Sequence, residues 1–178
     1  MTALDRQANL LGALALVVTD QTAHTVATAA GQSVSAAAAL SALHHFLDRP
    51  TLDQLRKVLG LTPSGAVRLV DRLADAGLVT RGAGGDGRSR SVSLTAAGER
   101  VAERITSVRA ALLTDALDGL SAADRQTLHT LMGRVMANII SRKEGGAWIC
   151  RLCDLEACGR ADGLCPTANA AAARHGRS

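Results

Sequence analysis

The sequence predicts a mainly α-helical chain with one small β-hairpin, in which two short helices joined by a tight turn lead straight into the hairpin. Three observations carry this reading. Apolar residues recur at three- and four-residue spacing through most of the chain, Thr51 and Thr62 stand as start signals of two neighbouring short helices, and the alternating runs "LVTR" and "RSVSL" flank the Gly-rich "GAGGDG". Together they describe a winged helix-turn-helix set between long N- and C-terminal helices. The expected organisation is a long helix in 1–32, the winged unit in 33–95, further long helices in 96–143 and a cysteine-rich tail in 144–178.

Leu4, Leu11, Leu14 and Val18 repeat at helical spacing, so the first helix runs from about Leu4 toward Ala29, and Gly31 interrupts it. Leu40, Leu43 and Leu47 mark a second helix. It must end by Arg49, because the residue before Pro50 is pushed out of helical geometry. Thr51 with Gln54 has the form of a capping box, Leu52, Leu55 and Leu59 supply a buried face, and Gly60 is a natural stop. In the next helix Thr62 caps, Pro63 takes the first helical position, and Ala66, Leu69, Val70 and Leu73 fall on one face before Gly77 ends it. Ser64, Arg68, Asp71, Arg72 and Asp75 then face outward or sideways.

This second short helix has the form of a recognition helix, whose N-terminal residues meet base edges in a major groove about 12 Å wide. Thr62, Pro63, Ser64, Arg68 and Arg72 are therefore the expected contacts to double-stranded DNA. The hairpin, from roughly Leu78 to Leu94, is the wing. Arg88 and Arg90 near its tip suit phosphates or a minor groove, with Asp86 placed to orient Arg88. The duller alternative for Arg68 and Arg72 is a solvated face paired with Asp71 and Asp75.

Composition agrees. The chain has 178 residues and a formal net charge of +4, and arginine far outnumbers lysine, which supplies guanidinium groups suited to phosphate. No unbroken apolar run approaches the roughly 20 residues that span a bilayer, and the N-terminus lacks a basic start before a processing site, so a cytoplasmic protein without a membrane partner is expected. Walker, H-E-x-x-H and G-x-S-x-G motifs are absent, and the Gly-rich run follows a helix inside a hairpin, the wrong setting for a dinucleotide fingerprint. His24, His44, His45 and His129 fall on helices. No catalytic residue is assigned and the chain is not expected to be an enzyme.

Beyond the wing, Val101, Ile105, Val108 and Leu112 form one stripe, and Leu128, Leu131, Met132, Val135 and Ile139 another. Each is expected to bury one face. Ser121 and Asp124 resemble a capping box, so the last long helix should start near Ala122 and reach about Arg142.

The stretch "SGAVRLVDRLADAGLVTRGAGGDGRSRSVSLTAAGERV" resembles the winged-helix signature of MarR-type transcriptional regulators, above all in "LVDRLADAGLV", in the D-x-R-x-R of Asp86, Arg88 and Arg90, and in the exit "SLTAAG". The likeness covers roughly residues 5 to 143. It implies a homodimer built from the N- and C-terminal helices, a pseudo-palindromic operator, repression of nearby genes, and a small-molecule effector or oxidant that releases the DNA.

Every cysteine lies in "CRLCDLEACGRADGLCP": Cys150, Cys153, Cys158 and Cys165, with spacing C-x2-C-x4-C-x6-C. In a reducing cytosol such a cluster points to metal or redox chemistry. Four soft ligands suit an iron-sulfur cluster or Zn2+. Structural zinc more often uses two C-x2-C knuckles, and only one is present. The compact run ending in Cys-Pro resembles the cluster-binding tail of SoxR-type redox regulators, with a longer inner spacing. Metal-free thiols that switch by disulfide formation are the third reading. Gly145 and Gly146 should break the preceding helix, Trp148 and Ile149 should anchor the segment, and "TANAAAARHGRS" after Pro166 reads as a frayed end.

Overall fold

The computed structural model describes residues 2–83, 90–141 and 147–175. Among these described residues, seven α-helices and one two-stranded sheet follow in the order α1 (Ala3–Ala30), α2 (Val34–His45), α3 (Leu52–Leu59), α4 (Pro63–Asp75), β1 (Val79–Ala83), β2 (Arg90–Leu94), α5 (Ala96–Asp115), α6 (Ala122–Ser141), a 3-10 turn (Ala147–Leu152) and α7 (Pro166–His175).

Most of the punctuation acts as read. Thr51 and Gln54 close a full capping box on α3, and Gly60 ends that helix in the left-handed region at φ 67°. Ser121 caps α6, accepting from the Asp124 amide at 3.2 Å while its hydroxyl donates to the Asp124 carboxylate at 2.6 Å. Three further caps are present. Ser33 caps α2, its hydroxyl accepting from the Ala36 amide at 3.3 Å. Thr2 and Asp5 form a capping box at the start of α1. Thr95 caps α5 and also donates its hydroxyl to the Gly77 carbonyl at 2.7 Å, which pins the start of α5 to the end of α4.

The core gathers around α2. Every residue from Ala36 to Ala42 is buried, and its alanines let α1, α3 and α5 approach closely. Val26, Leu40, Leu55, Leu69, Leu73, Val92 and Ile105 complete the cluster. Truncating one such leucine to alanine removes about 2–5 kcal/mol. β1 and β2 pair antiparallel from Val79 with Leu94 to Ala83 with Arg90. A bridge from Thr51 to Ser91, with the Val92 amide donating to the Pro50 carbonyl at 3.0 Å, adds the entry of α3 as a third edge.

Gly98 marks the tightest junction. A Cβ there would lie 2.0 Å from the Leu78 carbonyl oxygen and 3.1 Å from Leu94. Because the obstacle is backbone, Gly98→Ala is expected to cost about 2–4 kcal/mol, read as a lower midpoint in urea unfolding. An unchanged midpoint would show that α5 and the wing separate freely.

Three expectations need correction. First, α6 does not bury its stripe within the chain: Leu131, Met132, Val135 and Ile139 are exposed, and Ile140 is its buried residue. Second, residues 167–175 are not frayed: they belong to α7, which packs on α6 with Pro166 beside Gly133. Third, α1 is long and apolar enough to cross a membrane by length and composition. No unbroken apolar run reaches that length, but the mean over a helix rich in Ala, Leu and Val absorbs its few charges.

Candidate nucleic-acid interface and cysteine centre

The capping chemistry of α4 presents its outer face. The Thr62 hydroxyl accepts from the Gly65 amide at 3.1 Å, and Pro63 stands at the first helical position, where no amide is required. Ala66, Leu69, Val70 and Leu73 turn inward, which leaves Thr62, Pro63, Ser64, Arg68 and Arg72 on the exposed side. Ser64 and Thr62 hydroxyl oxygens lie 3.5 Å apart at the helix's positive end.

The surface pairing considered for these arginines does not form. Asp71 is instead bound by Arg81 of β1, which braces the wing against α4. Among the described residues Arg68 and Arg72 have no ion-pair partner, so both guanidiniums are free for phosphate or a base edge. Arg90 is exposed at the start of β2. Asp86 and Arg88 lie outside the described residues.

Two residues on this side escaped the sequence reading. Val67 is 45% exposed on the outer face of α4, a position suited to apolar contact with a thymine methyl. Its spacing from Leu69 and Val70 was the available signal, since it breaks the inward stripe. Arg49 takes φ 45°, and its guanidinium lies 3.9 Å from where a Cβ on Gly82 would stand. It is thus an exposed cation beside the wing, at a point where no local pattern signals that the chain folds back.

Behind this face, two histidines tie α2 to α5. His44 Nδ1 lies 2.7 Å from Glu99, and His45 Nε2 lies 2.9 Å from the Thr106 hydroxyl. Burial, then the adjoining His44, lowers the His45 pKa, while Asp154 and Glu156 of the tail pull it the other way. A cleft of about 510 Å³ opens beside the pair toward Phe46, Arg49 and Leu94. A second, of about 450 Å³, runs between α2, α5 and the tail at Asp154 and Glu156.

The cysteine segment sits on the winged unit itself. The 3-10 turn packs against α2 and α3, and Leu152 reaches the main core. Ile149 is half-buried; the side chain of Trp148 lies outside the described residues. The Cys153 amide donates to the Cys150 carbonyl at 2.9 Å, closing a turn that turns both thiols to one side. Asp154 accepts from the amides of Glu156 and Ala157, and Gly159 and Gly163 take left-handed conformations that bring the chain back to Cys165.

All four cysteines are free thiols, with Cys150 and Cys165 buried. The Cys153 and Cys158 thiols donate to the Ile149 and Leu155 carbonyls at 3.8 and 3.4 Å, and Cys150 neighbours Cys153 as Cys158 neighbours Cys165. The Cys153 thiol, and then Arg160, bring Cys150 down to about 6, and Cys153 is pushed far up by its contact with Cys150 and by burial. Among the described residues no three Cys, His or carboxylate groups converge as a ready-made metal site. A metal would have to draw the two thiol pairs together.

Residues 30–89 match the family model described as the MarR family. Solved structures share the fold. A MarR family protein from Bacillus stearothermophilus is 20% identical, with a TM-score of 0.68 over 78% of this chain and 98% of that one. YusO from Bacillus subtilis is 17% identical, with a TM-score of 0.63 over 76% and 97%. A mutant of Staphylococcus aureus MepR bound to an oligodeoxyribonucleotide is 16% identical, with a TM-score of 0.56 over 75% and 97%.

Proposed function

We propose that the chain, whose residues 30–89 match the MarR family model and whose fold is shared by MarR family structures, is a MarR-type transcriptional repressor that binds a pseudo-palindromic operator as a homodimer. The exposed, unpaired arginines of α4 are the observation that carries the reading. A helix that turns Thr62, Ser64, Val67, Arg68 and Arg72 outward, beside a wing braced by Arg81, offers both base-edge and phosphate chemistry on one side. The MepR structure bound to an oligonucleotide supports it by analogy of fold. The exposed leucines of α1 and the exposed stripe of α6 are the surfaces that a second copy covers.

The four-cysteine tail holds an iron-sulfur cluster that reports oxidant stress, and zinc is the alternative occupant of the same thiolates. What supports a metal is the chemistry of the donors: two thiol pairs, half of them buried, in a segment too polar to fold on apolar burial alone.

Binding to a duplex enriched from a random library tests the regulator reading. Arg68→Ala should weaken that duplex about 10–100-fold and leave random duplex nearly unchanged. Arg90→Ala should weaken both and reduce the salt slope by about 1. A wild-type protein with no salt-dependent affinity for any duplex would overturn the reading and point to a protein-interaction module.

A further inference from the structure

Arg49 breaks a rule that the rest of the described chain keeps. The left-handed backbone region is taken by Gly31, Gly60, Gly77, Gly159 and Gly163, and by a single residue with a side chain, Arg49, at φ 45°. A Cβ in that region crowds the following carbonyl oxygen, a cost that glycine avoids. Pro50 adds to it, because a proline favours extended backbone in the residue before it.

The loop is held by bonds that do not involve this side chain. The Leu47 amide donates to the Ala42 carbonyl at 2.9 Å, the Val92 amide donates to the Pro50 carbonyl at 3.0 Å, and Thr51 bridges to Ser91 of β2. Among the described residues the exposed Arg49 guanidinium makes no hydrogen bond or ion pair, and the carboxylate of adjoining Asp48 does not bind it. A residue that is costly for the backbone and unused inside the chain finds its reason in what it meets outside.

Its position indicates the partner. Successive residues of a strand face opposite ways, so Arg81 and Gly82 lie on opposite faces of β1. Arg81 is turned to Asp71 of α4. Arg49 lies over the other face, its guanidinium 3.9 Å from where a Cβ on Gly82 would stand, and Gly82 pairs with Ser91 one step from the pair of Ala83 and Arg90. The wing thus carries a cation on the side away from the recognition helix. A hairpin that enters a groove has a phosphate strand on each side of it.

We propose that Arg49 binds a backbone phosphate of the DNA on the side of the wing away from α4. This rests on the DNA-binding reading given above and adds a contact from the loop between α2 and α3. A planar guanidinium suits two phosphate oxygens. Because a phosphate carries no base identity, the contact fixes how the wing sits on the duplex and leaves sequence choice to α4.

The test measures duplex binding by full-length protein across a salt series, on the enriched duplex and on a random one. Arg49→Gln should weaken both about tenfold and lower the slope of log affinity against log salt by about 0.9, the value for one phosphate. Arg49→Lys should keep the slope, since the charge remains. Arg49→Gly should lose affinity and slope as Arg49→Gln does, yet unfold in urea at a midpoint no lower than wild type, because relief of the backbone offsets the freedom that glycine adds to the unfolded chain. A side chain that only shapes the loop would give the opposite result, a lower midpoint with an unchanged slope, and that overturns the proposal. Wild-type affinity and slope in Arg49→Gln overturn it too. Should wild type bind no duplex in a salt-dependent way, the DNA reading fails first and this proposal with it, a result distinct from normal DNA binding that ignores Arg49.

Discussion

Replacing Val135 with Glu is expected to leave the protein monomeric and to lower its affinity for a duplex with two half-sites by a factor of about 10²–10⁴. Val135 lines an apolar groove of about 230 Å³ between α6 and α1, together with Leu11, Asn138 and Ile139. Around it Leu131, Met132 and Met136 on α6 and Leu4, Leu11 and Leu14 on α1 are all exposed in the single chain. Apolar surface on this scale marks a site covered by something else. A second copy suits it, because the stripes run along the two terminal helices and leave the recognition face clear. A carboxylate placed there is buried without a partner on association, which costs several kcal/mol. Sedimentation equilibrium and binding to one-half-site and two-half-site duplexes would measure both effects. Only the two-half-site affinity should fall, because each winged helix stays intact. A variant that remains dimeric would move the interface elsewhere. Wild type that is monomeric in solution and binds lipid vesicles would assign the apolar surface of α1 to a membrane, which its length and composition also permit.

The second large effect concerns the tail. Protein purified without oxygen should carry iron and sulfide with visible absorption, and Cys153→Ser should abolish both. Cys153 shares a turn with Cys150, its amide donating to the Cys150 carbonyl at 2.9 Å. Removing it leaves one thiol of the C-x2-C turn. Losing the metal should lower the melting temperature by several degrees, since about 1 kcal/mol shifts a chain of this size by roughly 2–4 °C, and should expose the chain between Cys150 and Cys165 to protease. Air exposure of wild type should reproduce the loss of colour together with a change in operator affinity, and Cys153→Ser should no longer respond. A colourless protein with one zinc per chain, indifferent to air, would make the tail a structural brace and move the signal to the clefts beside His44 and His45.

Much of the DNA-binding unit was legible because its signals are local. Thr51 with Gln54, Thr62 with Pro63, and the period of Ala66, Leu69, Val70 and Leu73 each act within one or two helical turns, and the structure uses all of them. The α6 stripe was legible as a period but not as a surface, since periodicity shows which side is apolar without showing what meets it. The tail was read least well. "TANAAAARHGRS" has no strong apolar stripe, so α7 could not be told from a solvated end, and what places it is its packing along α6, with Pro166 beside Gly133.

The joint at Gly98 has a mechanical consequence. Backbone contact with Leu78 and the Thr95 bond to Gly77 fasten the root of α5 to the end of α4 and to the wing, so those parts turn as one piece. With 20 residues, α5 is an arm about 30 Å long at 1.5 Å per residue. A tilt of about 6° at its root swings the far end by about 3 Å, close to the 3.4 Å that separates neighbouring base pairs. Two such arms anchored at a dimer seam would work as calipers, for which a rotation too small to disturb any core contact sets whether both tips reach the groove.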